Sequence, residues 1–272
     1  MTGYQDWIGR TSQKSEAITD RHISHFRAIL GELTGPGAVP AGLHWCLLPD
    51  LAQAPDLGRD GHPRLGQFGP DLGLPRRMWA GGELAFGPPL LPGDTVTRDS
   101  RFADIAFKTG STGRLGFVTL SHDWSVAGET RITERQDIVY RENPKPGSDP
   151  APVVAEPWAA DRTWSVTPDP VLLFRYSALT FNGHRIHYDH PYATGVEGYP
   201  GLVVHGPLQA IWMLNLAADM LGRLPARFRY RGLSPLICGL PVHIEACAAG
   251  DAIALRVIKD DGVVTMQATA TQ

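Results

Sequence analysis

Polar and titratable side chains are concentrated in one eight-residue stretch in the second half of the chain, which contains Asn182, His184, Arg185, His187 and Asp189. Histidine can take or give a proton near neutral pH, so this density predicts a site for proton transfer. The same residues also allow a structural interpretation. A loop histidine often serves packing, and Arg185 and Asp189 could form only a surface ion pair.

A second feature follows eighteen residues after His187, where His205-Gly206-Pro207 precedes a segment that is apolar almost all round. The pattern predicts a buried helix over residues 207–221. A helix N-terminus offers unpaired backbone N–H groups and the positive end of the helix dipole, and Gly206 allows close approach to the backbone. An oxygen that becomes negative during a reaction, such as a thioester carbonyl turning into an enolate, would be stabilised there.

Two further helices are predicted to support these segments. Thr19-Asp20 is a good cap for a helix that ends near Leu30, since apolar residues follow at helical spacing. In the second half, residues 167–170 supply a cap and an early proline, and an apolar face then extends to Leu179. This second helix leads directly into the segment that carries His187.

The remaining elements are predicted to be strands and loops. Residues 94–140 read as an antiparallel meander with Gly-bearing turns, and residues 227–271 as three or four strands. The similar openings at residues 92–95 and 249–252 indicate a weak internal duplication. Residues 36–92 are dense in Gly and Pro, which predicts long ordered loops with only short strands. Loops of this length are usually functional or cover something.

Composition and charge limit the classes of partner. The chain has 272 residues, 43% of them hydrophobic, with a net charge of −3, so no general attraction to nucleic acid or anionic membranes is expected. It shows no signal-like or membrane-spanning apolar run. Cys46, Cys238 and Cys247 have neither metal-ligand spacing nor the even number of a disulfide framework, which favours a reduced, cytoplasmic location.

A Pro-rich, polar segment divides the chain. It predicts an N-terminal domain over residues 1–142, a linker over 143–157 and a C-terminal domain over 158–272.

The sequence FRYSALTFNGHRIHYD, from Phe174 to Asp189, and the sequence EGYPGLVVHGP, from Glu197 to Pro207, resemble the hydroxyacyl-thioester dehydratase type 2 group. That group includes mesaconyl-C4-CoA and itaconyl-CoA hydratases and is part of the MaoC-like, R-specific enoyl-CoA hydratase superfamily. The likeness continues in the first half at His44-Trp45, residues 77–82, 108–110 and 117–119, and so covers nearly the whole chain.

The resemblance implies an α+β double hot-dog fold, in which two curved antiparallel sheets each wrap on a helix, with residues 207–221 as the central helix of the C-terminal half. It also implies an acyl-CoA substrate between the halves and a homodimer or higher homo-oligomer. No metal or redox cofactor is expected, because coenzyme A enters only as part of the substrate.

Carried over by position, His187 matches the catalytic histidine of the superfamily, and Gly206 lies close to its oxyanion-binding backbone N–H. The sequence departs from the superfamily at Asn182, where the wider pattern has Asp. An amide cannot take a proton, so we expect His187 to be the general base or acid and Asn182 to orient the water. Asp189 could orient an imidazole or could simply cap a helix.

The predicted reaction interconverts a 2-enoyl-CoA and a 3-hydroxyacyl-CoA, with a short, branched, dicarboxylic C5 acyl group such as mesaconyl-C4-CoA or itaconyl-CoA. Arg76, Arg77 and Arg185 are candidates for holding the second carboxylate, or else contact CoA phosphates or lie at the surface; Trp79 and His205 complete the candidate substrate-binding set. Two alternatives remain open at this point: a hot-dog acyl-CoA thioesterase, and a non-catalytic acyl-thioester binding module.

Overall fold

The computed structural model describes residues 3–110, 113–143, 153, 154, 156 and 158–272, and its framework is a single antiparallel sheet. The strands are β1 (Thr11–Ala17), β2 (Arg76–Phe86), β3 (Thr95–Gly110), β4 (Gly113–Val126), β5 (Glu129–Arg141), β6 (Arg162–Val166), β7 (Arg227–Gly232), β8 (Val242–Ala249), β9 (Ala252–Lys259) and β10 (Val264–Thr271). The helices are α1 (Asp20–Leu30), α2 (Pro170–Thr180), α3 (His190–Gly195) and α4 (Gly206–Leu221).

The two halves of the chain repeat one strand order. Along the sheet it runs β1-β3-β4-β5-β2 and then β7-β10-β9-β8-β6, so the second half repeats the first in the opposite sense. This order shows the predicted duplication. It does not show the predicted match between the strand that follows residues 92–95 and the strand that follows residues 249–252. Residues 92–95 lead into β3 and residues 249–252 into β9, whereas the strand order matches β3 with β8. Gly and Asp recur at tight turns for local reasons, which explains the misleading likeness.

A main-chain seam joins the two halves. Strand β2 pairs with β5 on one side and with β7 on the other, in a register from Gly81↔Arg231 to Ala85↔Arg227. The prediction of only short strands within residues 36–92 is therefore wrong for β2, which has 11 residues. The strand contains no proline, and both of its edges are hydrogen-bonded, so its two glycines are tolerated within a central position of the sheet.

Helix α4 is the buried centre of the second half, as predicted. It packs against β8, β9 and β10, and residues 208–218 are all buried. Asn215 is one of two buried polar residues in this helix, the other being Gln209. The Asn215 amide nitrogen donates to the Ala41 carbonyl at 2.9 Å, and its Oδ1 accepts from the Gly35 N–H at 2.9 Å. A buried amide needs such partners, and here they tie α4 to the first half.

The first half holds a 3₁₀ turn, Leu43–Cys46, in the corresponding place between α1 and β2. The Trp45 indole donates to Glu134 on β5 at 2.8 Å, and the His44 ring lies edge-on to Trp124 on β4. Helix α1 packs on this turn and on α2. The expectation of a sheet wrapped on a long helix thus describes the second half, while loops and a short turn cover the sheet of the first.

The predicted helix caps and the predicted meander of the first half are confirmed. Thr19 caps α1, Asp169 caps α2, and β3, β4 and β5 form the meander. Strand β3 has a register irregularity between Phe102 and Asp104. Strand β1, polar and at the sheet edge, was not predicted. The linker lies largely outside the described residues, so the domain boundaries stay a prediction. Within the described ranges, no helix is long and apolar enough to cross a membrane.

The seam leaves no room for a side chain at Gly82, where an added Cβ would overlap the Arg135 carbonyl oxygen and the Tyr230 hydroxyl. We expect Gly82→Ala to lower the free energy of unfolding by about 1–3 kcal/mol, because strand backbone cannot move aside cheaply. The measurement is urea unfolding followed by circular dichroism. Gly195→Ala is the control, since a Cβ there meets nothing within 4 Å. Equal stability of the two variants would contradict the prediction.

Candidate active site

A cleft of about 1530 Å³ is lined by residues of both halves, including Trp79 from β2 and His187 and Gly206 from the second half. Ligand sites of roughly 300–1,000 Å³ are typical for small molecules, so this volume suits a larger, extended ligand. The cleft brings together the segment around His187 and the N-terminus of α4, as the sequence predicted.

The loop after α2 sets the position of His187. Phe181 ends α2 in the left-handed conformation with φ of 52°, and Asn182 Oδ1 then accepts a hydrogen bond from the His184 backbone N–H at 2.9 Å. This side-chain turn leads into the 3₁₀ turn Arg185–His187. Asn182 therefore has a structural task as well as a place in the cleft wall. Its Oδ1 is engaged, which leaves the amide N–H groups for a ligand or water.

His187 is held in one tautomer. Its side chain is buried, and Nδ1 lies 2.6 Å from the Val203 carbonyl oxygen. A carbonyl only accepts, so Nδ1 carries the proton and Nε2 keeps its lone pair. Burial lowers the pKa of His187 to about 3, and the neutral imidazole is therefore the resting form at neutral pH. The ring can act as a base through Nε2.

The residue that orients His187 is thus Val203, and not Asp189. Asp189 Oδ1 accepts from the Tyr192 backbone N–H at 3.1 Å and caps α3. Its other oxygen pairs with Arg185 at 2.7 Å. Of the two roles considered for Asp189, the structure supports the cap.

His205 lies behind His187 and does not line the cleft. The two rings stack with centroids 3.6 Å apart, and the His205 side chain is fully buried. Its Nε2 is 2.8 Å from Ser177 Oγ on α2. The predicted substrate-binding role of His205 is corrected accordingly, because this fully buried ring does not reach the cleft and instead packs against His187. Burial lowers the pKa of His205, so a neutral ring is stacked on a neutral ring.

Gly206 begins α4 and lines the cleft. Its N–H is one of the first in the helix and has no acceptor within the helix, so it can serve an oxyanion. A Cβ at this position would lie 3.1 Å from Trp79 Cε3, so a larger residue would require the Trp79 ring to shift. Trp79 also lines the cleft and stacks on Tyr230 with centroids 4.5 Å apart.

The three arginines proposed for substrate binding have different surroundings. Arg76 is buried and forms an ion pair with Glu197 at 3.0 Å, so the Glu197 carboxylate neutralises its charge. Arg185 pairs with Asp189, bonds to the Arg59 carbonyl and does not line the cleft, which corrects its assignment to the substrate. Arg77 lines the cleft, as does Tyr140. Among the described residues, no carboxylate lies within 4.0 Å of its guanidinium.

Asp60 and His62 also lie at this site and are not among the residues that the sequence predicted for it. His62 Nδ1 lies 3.0 Å from Asp60 Oδ2, and the His62 ring is 4.2 Å from the ring of His184. The His184 ring in turn lies 5.3 Å from that of His187. The one available signal was the long Gly- and Pro-rich stretch, which was predicted to be functional or to cover something.

Asp60, His62 and His184 also offer donor atoms within 4.8 Å of one another. Such a set could hold a divalent cation. Asp60 and His62 are, however, already hydrogen-bonded to each other. Burial would raise the pKa of Asp60, but the His62 contacts are the main cause that lowers it. Burial is the main cause of the lowered pKa of His62, and the positive charge of Arg77 adds to the lowering of both. The same charge opposes a cation. The described geometry is therefore that of a hydrogen-bonded pair.

The comparisons with known proteins identify the family. The model of the family "Hydroxyacyl-thioester dehydratase type 2" matches residues 42–238. A mesaconyl-C(4)-CoA hydratase of Chloroflexus aurantiacus is 41% identical over 267 residues, which are 97% of this chain and 95% of that protein. The chain belongs to the hydroxyacyl-thioester dehydratase type 2 family and is an enzyme of the hydratase/dehydratase type, as the resemblance predicted.

Solved structures confirm the fold. A MaoC-like dehydratase from Phytophthora capsici superposes with a TM-score of 0.66 at 16% identity, covering 98% of both chains. A Mycobacterium tuberculosis protein with a double hotdog fold gives a TM-score of 0.54 at 15% identity and covers 100% of this chain and 98% of that one. The predicted double hot-dog architecture is therefore correct.

The buried Arg76–Glu197 pair should matter for stability. We expect Arg76→Met to lower the free energy of unfolding by about 3–5 kcal/mol, because it leaves the Glu197 carboxylate buried without its partner. Thermal and urea unfolding measure the effect. Arg162→Met breaks an exposed pair with Asp219 and serves as the control, with an expected change below about 1 kcal/mol. A stable Arg76→Met protein with impaired substrate binding would instead assign Arg76 to the ligand.

Proposed function

We propose that the protein hydrates a 2-enoyl-CoA that carries a carboxylate on its β carbon, with mesaconyl-C4-CoA favoured over itaconyl-CoA. The observation that carries this proposal is Arg77, a cleft-lining guanidinium without a carboxylate partner among the described residues, beside the imidazoles of the site. The full-length likeness to a protein named for mesaconyl-C(4)-CoA supports it.

The proposed chemistry begins with a water molecule held by the amide of Asn182. His187 Nε2 takes a proton from this water while the oxygen attacks the β carbon. Charge then develops on the thioester oxygen, where the N–H of Gly206 and the positive end of α4 stabilise it. His187 is suited to this role because its Nδ1–H is fixed on Val203 and its ring is neutral. Protonation of the α carbon completes the addition.

The position of the substrate carboxylate explains the need for Arg77. In mesaconyl-C4-CoA, the free carboxylate is attached to the carbon that receives the water. A cation that binds it must therefore lie next to the proton-transfer residues. Arg77 lines the same cleft as His62 and His184. Burial is the main cause of the lowered pKa of both imidazoles, and the positive charge of Arg77 adds to it. A guanidinium can also bind a carboxylate through two parallel hydrogen bonds, which fixes its orientation.

The rest of the ligand would lie along the cleft. Arg10, Arg98 and Arg141 also line it and are the cationic candidates for the CoA phosphates. The proposed reaction uses coenzyme A only as part of the substrate and involves no other cofactor. A cytoplasmic location and a homo-oligomeric state stay predictions.

Replacing His187 tests the base. We expect His187→Gln to lower kcat by about two to four decades, because general-base catalysis is lost. The measurement is the loss of enoyl absorbance with mesaconyl-C4-CoA, together with an assay for free thiol. Exposed His25 on α1 provides the control variant His25→Gln, which should leave kcat unchanged. Near-normal turnover of His187→Gln would reject the assignment, and release of free thiol by the wild type would indicate a thioesterase.

Arg77 should determine selectivity for the carboxylate. We expect Arg77→Met to lower kcat/KM for mesaconyl-C4-CoA by about 10- to 100-fold, the cost of losing a hydrogen bond to a charged group. Activity with crotonyl-CoA, which has no carboxylate, should change far less, so the ratio of the two kcat/KM values is the measurement. Arg162→Met is the matched control. An equal loss with both substrates would contradict the role of Arg77.

A further inference from the structure

The loop that carries Asp60 and His62 is fixed to the segment that carries His187. The Arg185 backbone N–H donates to the Asp60 carbonyl at 2.8 Å. Gly61 and Gly183 lie so close that a Cβ at Gly61 would overlap the Gly183 carbonyl oxygen. Gly61 also has a φ of 85°, which favours glycine. The loop of the first half that contains residues 60–62 therefore packs in a fixed position against residues 183–185 of the second half.

This contact makes His62 part of the cleft wall, next to His184 and His187. His62 has the geometry of an activated imidazole. Its Nδ1 is engaged by the Asp60 carboxylate, while 18% of its side chain remains exposed. Asp60 also accepts from the His62 backbone N–H at 3.1 Å, so both oxygens of the carboxylate orient this one residue. A carboxylate on Nδ1 fixes the tautomer and stabilises the imidazolium when Nε2 gains a proton.

The other groups near the reacting centre are poorly suited to hold a second proton. Asn182 has none to exchange. Burial, followed by the neighbouring imidazoles of His62 and His187, lowers the pKa of His184 far below its ordinary value. The pKa of His62 is also lowered, by burial and by Arg77, but its partner Asp60 acts in the opposite direction. Burial would raise the pKa of Asp60, yet the hydrogen bonds from His62 hold it below its ordinary value, so Asp60 is ionised.

We propose that His62, oriented by Asp60, is a second catalytic residue, which exchanges the proton at the α carbon of the substrate while His187 exchanges the proton of the water. This division rests on the proposed hydratase function of the cleft. It assigns the acid/base group that Asn182 cannot supply to a loop of the other half of the chain. In this reaction, His62 and His187 are catalytic, and Asp60 is a positioning residue.

The proton balance of the step is as follows for hydration. The water oxygen forms a bond to the β carbon, and its proton goes to His187 Nε2. The π electron pair moves onto the α carbon and the thioester oxygen, and His62 then gives its proton to the α carbon. The cycle closes when the proton on His187 returns to His62 through water in the cleft, which both rings line. One proton is taken and one is given, without any other reactant.

The first experiment compares His62→Gln, His62→Ala and Asp60→Asn with wild type on mesaconyl-C4-CoA. Wild-type turnover tests the function itself, independently of His62. We expect kcat to fall about 100- to 1,000-fold in the His62 variants, with KM changed less than about threefold, and a smaller loss in Asp60→Asn. Added imidazole should restore part of the activity of His62→Ala, because the cleft is open to it.

The matched control is the surface pair His243–Asp260, with a distance of 2.9 Å and a place on β8 away from the cleft. His243→Gln should leave kcat unchanged, and melting temperatures verify that all variants fold. Near-normal kcat in both His62 variants, or no effect of imidazole on His62→Ala, would overturn the proposal. So would wild-type turnover that is lost with EDTA, because Asp60, His62 and His184 would then act as metal ligands.

A second measurement separates the roles of the two histidines. The saturated analogue, the C4 thioester of methylsuccinic acid, has an α proton but no group to eliminate. In D₂O, wild type should exchange this proton for deuterium, as measured by mass spectrometry. We expect His62→Gln to lose the exchange at least tenfold and His187→Gln to retain it. Loss of the exchange in His187→Gln with its retention in His62→Gln would assign both protons to His187. Equal loss in both variants, or no exchange by wild type, would contradict the division of roles between them.

Discussion

The seam between β2 and β7 is the interaction on which the site depends. Main-chain hydrogen bonds along this pair continue one half of the sheet into the other, and so fix the relative position of the halves. Backbone bonding of this kind depends little on side-chain identity, but it requires close approach of the strands. Gly81 and Gly82 satisfy that requirement. Because β2 also carries Arg77 and Trp79, the seam brings Trp79 to the N-terminus of α4 and places Arg77 in the wall of the same cleft.

The two halves share a strand order but differ in what lies between the first helix and the seam strand. In the second half this interval contains the His187 segment and α4, a long helix whose burial supplies much of the core. In the first half it contains loops and a 3₁₀ turn, and it supplies Asp60 and His62. Asn215 connects the two intervals by bonding to the backbone at Ala41 and Gly35. The two halves thus share a strand order but contribute different functional groups to the cleft.

Burial explains the electrostatic character of the site. His184, His187 and His205 lie close together, and burial is the largest cause of the lowered pKa of each ring. Stacked neutral imidazoles are stable in such a place, whereas adjacent imidazolium ions would repel one another. Two charged groups stand beside them, the carboxylate of Asp60 and the guanidinium of Arg77. Their opposite signs let one stabilise a proton on His62 and the other attract an anionic substrate.

The sequence by itself determined the features that arise from local patterns. These include α1, α2 and α4 with their caps, the meander of β3, β4 and β5, and the identity of the segment around His187 and Gly206. Its family resemblance gave the double hot-dog fold. Tertiary structure alone decided which polar groups meet. Arg185 and His205 lie next to the motif in sequence but face away from the cleft, whereas Asp60 and His62 reach it from more than a hundred residues away. The spacing of residues along the chain indicates helix faces and turns. Which loops pack against each other depends instead on the pairing of β2 with β7, and no local sequence pattern encodes that contact.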